Sequence, residues 1–140
     1  MSEICFNSIF DGVSLALHAA FPSSRIHGGR VEQGLLPGDL NVILPGAGLT
    51  KEVGQRQRRS PTVDVIYYPK AGAAECCDVA ERLSRALESI TTPEGDRIHA
   101  TSCRWNWTDE VLHMILTYDH FVYLPREEVK METLQTKEEG

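Results

Sequence analysis

The run from Gly54 to Pro69, GQRQRRSPTVDVIYYP, constrains the fold more than any other part of the chain. Its second half, Thr62 to Tyr68, is rich in β-branched and aromatic residues and is closed by Pro69, the composition of a strand. Few of these positions suit water, so the strand is expected to be covered on both faces or to lie at the centre of a sheet. The first half is polar and basic, and it carries the same extended run further than the core of a small domain can cover. Pro61 has no N–H to give to a ladder, so one side of the strand must be free near it. The stretch therefore predicts a strand that is core at one end and a projecting cationic arm at the other.

A chain of 140 residues is long enough for one domain with a single core. That domain is expected over residues 1–125, followed by a charged tail over 126–140, where five glutamates accompany few apolar residues. The tail cannot bury enough apolar surface to offset chain entropy by itself. Val129, Met131 and Leu134 are its candidate anchors on a neighbouring subunit or partner. The net charge of −6 argues against a general nucleic-acid binder. No apolar run approaches the roughly 20 residues that span a bilayer. The opening MSEICF lacks a cationic segment followed by an apolar one, so no signal peptide is expected. Cys5, Cys76, Cys77 and Cys103 are then expected to be reduced thiols of a protein made in the cytoplasm.

In chain order, Phe6, Ile9, Phe10, Val13, Leu17, Ala20 and Phe21 recur at helical spacing and predict an amphipathic helix stopped by Pro22. Arg25–His27 is a short strand candidate, which Arg30–Gln33 would resume after Gly28-Gly29. Leu40–Leu44 reads as a strand ended by Pro45, with Gly46-Ala47-Gly48 as a flexible link into the long strand. A second helix is expected from about Ala74 to Ile90, burying Val79, Leu83, Leu87 and Ile90. Arg97–Trp107 and Val111–Tyr123 then read as two strands of an antiparallel hairpin. The predicted class is α+β: a mostly antiparallel sheet of about five strands with two amphipathic helices packed on one face. Val63, Val65, Tyr67, Val79, Leu83, Leu87, Leu112, Met114 and Leu116 are the expected core.

The residue types that carry chemistry are scattered. The five histidines show neither His-x3-His nor HExxH spacing, and no Cys-x-x-Cys occurs. Cys76 and Cys77, adjacent on a helix, point to different sides. His113 and Asp119 would stand about 20 Å apart on one strand, too far for a dyad. The glycine pairs precede no helix in a phosphate-binding arrangement. We therefore expect no catalytic residues, no metal site and no cofactor. The remaining candidates are surfaces. Alternation places Arg56 and Arg58 on one face of the arm, with Gln57 and Arg59 on the other. These four suit contact with an acidic protein surface, set against a solvated strand end or phosphate contacts. Trp105 and Trp107 share a strand face and suit a core or subunit-interface anchor, set against a stacking pair for bases.

Several stretches together carry a resemblance. They are the first helix ending in Ala19-Ala20-Phe21-Pro22, the Val31-Glu32-Gln33-Gly34 turn, and the arm Gly54–Ser60 leading into Val63–Lys70. The helix around Val79–Glu88 and the closing Val111–Met114 and Tyr118–Val122 complete it. From Ile9 to Val122 the chain resembles the phage tail terminator family, small proteins of phages and prophages of Gram-positive hosts. The resemblance implies a structural virion protein. It would assemble as a ring, expected to be a hexamer, on the end of the tail tube, stop its growth and face the head–neck connector. DNA would pass through the pore without sequence readout, and no reaction, cofactor or membrane is implied. The runners-up are another neck or head-completion protein, told apart by its docking partner, and a nucleic-acid module, told apart by steep salt dependence.

Overall fold

A computed structural model describes residues 4–29 and 35–124. The predicted strand resuming at Arg30–Gln33, the Val31–Gly34 turn and the tail from Pro125 onward, with Val129, Met131 and Leu134, lie outside the described residues.

The first helix, α1, spans Phe6–Ala20 and buries Ile9, Val13 and Leu17, one residue per turn, against the sheet. Gly12 lets it approach closely: a Cβ there would sit 3.1 Å from the Thr91 carbonyl oxygen and 3.2 Å from Ile90 Cδ1. Strand β1 (Ile26–Gly28) pairs in parallel with β2 (Leu40–Lys51), which pairs antiparallel with β3 (Arg56–Tyr67). After helix α2 (Ala73–Ala86) come the short strands β4 (Ser89–Thr91) and β5 (Arg97–His99), which pair with each other alone. Strands β6 (Ser102–Thr108) and β7 (Val111–Thr117) form a hairpin, and β8 (His120–Tyr123) follows. The main sheet runs β1-β2-β3-β7-β6, with β8 also on β3. The fold is α+β and mostly antiparallel, with both helices on one face of the sheet.

The expected long strand is the centre of this sheet, between β2 on one side and β7 and β8 on the other. Its alternation buries Val63, Val65 and Tyr67 beside Leu112, Met114 and Leu116 of β7, whose residues alternate between half-buried and buried along the strand. Val79 and Leu83 of α2 and Leu87 just past it close the core, so all nine residues expected inside are buried. The loop between β3 and α2 is gathered by Glu75. Its carboxylate accepts the Tyr67 hydroxyl and the backbone amides of Lys70 (2.9 Å) and Ala71 (2.6 Å).

Four boundaries differ from the sequence expectation, each for a reason that pairing supplies. Pro45 does not end β2, and Gly46-Ala47-Gly48 is strand rather than flexible link. Between the pairs Ile43–Asp64 and Gly46–Thr62, Leu44 and Pro45 stand opposite Val63 alone, so the proline sits in a bulge where no ladder N–H is needed. Helix α2 stops at Ala86, and Ile90 is buried from a strand against α1 instead of from the helix stripe. The expected strand 97–107 breaks at Ala100, whose amide bonds Glu88 O (2.8 Å) while that of Thr101 bonds Thr117 O (2.8 Å). The expected strand 111–123 breaks at Tyr118-Asp119, opposite Pro61. Pro61 can accept there, from the Tyr118 amide at 3.1 Å, but cannot donate, so the ladder is interrupted where the proline required a free side.

Tyr118 fills that break. It is fully buried, and its hydroxyl donates to Leu87 O at 2.6 Å, tying the β7–β8 corner to the end of α2. Burial pushes its phenol pKa up, so the proton that makes this bond is retained. Tyr118→Phe is expected to lower stability by about 1–2 kcal/mol in denaturant unfolding, because the carbonyl is left without a donor. An unchanged midpoint would mean the bond contributes nothing.

Candidate subunit and partner interface

The arm is built from three strands. Past the bulge, every residue of β2 from Gly46 to Lys51 is exposed, and β3 keeps pace with it through the pairs Ala47–Pro61 to Lys51–Gln57. On the other side β8 pairs with the same half of β3, from Arg56–Tyr123 to Arg59–His120. The tip turns through Glu52–Gln55, where Gly54 takes φ +73°, the left-handed region that suits glycine. The Glu52 amide bonds Arg56 O (2.9 Å) and the Leu124 amide bonds Gln55 O (2.8 Å), closing both margins of the tip.

Strand alternation sorts the candidate residues. Arg59 and Gln57 lie on the helix side, where Arg59 Nε donates to Gln57 Oε1 (2.8 Å) and its guanidinium stacks 4.9 Å from the Phe6 ring. Its Nη1 also reaches Ile4 O at 3.5 Å, so Arg59 ties the arm to the start of α1. Arg56 and Arg58 lie on the opposite face. Arg56 is paired with Glu52 (2.8 Å) and stacks 4.5 Å from the Phe121 ring. Arg58 is exposed and has no hydrogen bond or ion pair among the described residues. The register sets Tyr123 across from Arg56 and Phe121 across from Arg58, giving a face on which two arginines and two aromatic rings interleave. Phe121 and Tyr123 are 46% and 59% exposed. Sequence reasoning missed both rings, because it placed them on one long hairpin strand and had no signal that β8 pairs with the arm.

Trp105 and Trp107 share a face, as their spacing implies. They stand across from Met114 and Leu112, on the helix side of the sheet, yet are 46% and 39% exposed. Strand β6 is the outer edge of the sheet and all its residues but Asn106 are exposed, so these rings are not part of the domain core.

Two histidine–carboxylate pairs were also invisible in the sequence. His113 Nδ1 lies 3.1 Å from Asp64 Oδ2, and His27 Nε2 lies 3.1 Å from Asp39 Oδ2. The partners of each pair come from different strands or loops, so no local spacing announces them. Neither pair has a serine or cysteine bonded to its histidine, and no three His, Cys, Asp or Glu side chains gather to hold a metal among the described residues. Cys76 is buried and Cys77 exposed, the two sides expected of neighbours on a helix.

The sequence profile of the phage tail terminator proteins matches residues 8–130, most of the chain. The chain belongs to the phage tail terminator family. This is a family of phage tail structural proteins rather than enzymes, which places the protein in the virion. The match contains the whole arm, strands β6 and β8, helix α2 and helix α1 from Ser8 onward. No curated protein matches the chain. No described helix is long and apolar enough to cross a membrane.

Proposed function

We propose that this tail terminator assembles as a ring, expected to be a hexamer, on the last ring of the tail tube, stops its polymerisation and offers its free surface to the head–neck connector. DNA passes through the pore without sequence readout. The observation that carries this reading is the three-stranded arm: a paired extension past the core, with Arg58, Phe121 and Tyr123 presented together on one face. Aromatic and arginine side chains are the residue types that dominate protein interfaces. An exposed guanidinium on an acidic protein finds carboxylates on identical or related subunits. One exposed pair of this kind adds only about 0.2–1 kcal/mol, but a closed ring repeats it at every interface. Trp105 and Trp107, on the edge strand, supply a second contact surface.

Arg58→Glu with Tyr123→Ser tests the reading without touching Arg56 or Arg59, whose partners lie within the chain. Wild-type protein is expected to show a multi-subunit mass by light scattering and to cap isolated tail tubes at their normal length. The variant is expected to lose mass and to let tubes overgrow. Capping at normal length by the variant would remove the arm from the mechanism. Binding to a portal or adaptor in preference to the tube would favour a head-completion role.

A further inference from the structure

The two ends of the sheet are complementary to one another. Opposite the arm tip, where β3 and β6 finish and β2 and β7 begin, lies a hollow of about 480 Å³ walled by Leu36, Pro37, Pro69 and Trp107. Leu36 and Trp107 are 56% and 39% exposed, so apolar surface there faces water. Its rim carries Asp109 and Glu110, both exposed, against Lys70. The arm tip has the reverse character. Val53 is 94% exposed at the turn and Leu49 57% exposed on β2. Glu52 is already neutralised by Arg56, which leaves Lys51 and Arg58 as charges without an ion pair among the described residues. Single exposed apolar residues need no explanation. Here apolar groups stand at both ends of one strand, with opposite charge around them.

We propose that the arm tip of one copy docks in the hollow of the next, with Val53 and Leu49 against Leu36 and Trp107 and Lys51 beside Asp109 and Glu110. The occupant is a second copy of this chain, because the charge around the tip complements the charge around the hollow. It cannot be the chain's own arm: β3 has 12 residues, and at about 3.3 Å each the two ends lie about 40 Å apart. A patch at one end meeting a different patch at the other is a head-to-tail contact, which closes a ring when the rotation per subunit allows. The inference rests on the ring reading above and names the surfaces that would make the ring.

The test is a charge exchange read by light scattering, with circular dichroism to confirm folding. The arm variant is Lys51→Glu, which reverses the charge and leaves Val53 and Leu49 in place. The hollow variant is Asp109→Asn with Glu110→Lys, asparagine being chosen because residue 109 has φ 54° and asparagine tolerates that region. Each variant alone is expected to show a several-fold fall in mass, and one chain carrying both exchanges is expected to regain the wild-type mass. Rings unaffected by either variant, or a combined chain that stays small, would overturn the contact and leave the ring reading standing. Wild-type protein that is monomeric both alone and on isolated tubes would overturn the two together.

Discussion

Leu116→Ala is expected to lower the unfolding free energy by about 2–5 kcal/mol and the melting temperature by roughly 10 °C or more. Leu116 is fully buried on β7, across from Val63 on one side and Cys103 on the other. Strands fix the backbone on both sides, so the space left by its side chain cannot collapse readily, and the cavity adds to the lost transfer energy. Leu83, fully buried on α2, is expected to behave in the same way. Ile115 provides the control, because it faces the half-buried outer side of the same strand and should cost much less on truncation. Denaturant unfolding of the three variants checks this. Equal losses at Leu116 and Ile115 would contradict the one-sided core.

Asp39→Asn is expected to cost about 2–4 kcal/mol at neutral pH, since charge-assisted hydrogen bonds contribute about 1.5–3 kcal/mol each and are only partly replaced by an amide. Asp39 is nearly fully buried and holds together the start of β2, β1 and the loop before β2. It accepts from Arg25 Nη2 (2.7 Å) and Nε (3.2 Å) and from the Leu36 amide (2.9 Å), and His27 Nε2 lies at 3.1 Å. The Arg25 guanidinium holds its carboxyl well below the usual carboxylate range, against the opposing effect of burial. A carboxyl whose pKa is depressed in the folded state contributes stability above its unfolded value, about 3.9, and loses it as pH falls towards the folded value. The difference between wild type and Asp39→Asn is therefore expected to be constant above about pH 5 and to shrink below about pH 4. Burial pushes Glu75 the other way, but its bonds from Tyr67, Lys70 and Ala71 prevail and hold it low, so part of the acid slope remains in the variant. A difference that persists undiminished into acid would show that the Asp39 charge is not what the site uses.

The sequence by itself determined the elements whose signal is local. Helix α1 and most of α2 were legible because burial of one helical face imposes a 3.6-residue period. The core half of β3 was legible because alternation and β-branched composition coincide there with a closing proline. Pro61 even announced an interruption in its neighbour. Only the tertiary structure decided which neighbour that was, and hence that 111–123 is two strands with the second laid along the arm. Pairing partners such as Arg59 and His120 are far apart in the chain, and no spacing within either segment encodes the pairing. For the same reason the sequence could count three arginines on the arm but not distribute them: Arg56 and Arg59 are drawn to Glu52, Phe121 and Phe6, and Arg58 is left facing outward. Trp105 and Trp107 show the same division. Their common face follows from a two-residue step, but their exposure follows from β6 being the last strand of the sheet, with no described strand beyond it.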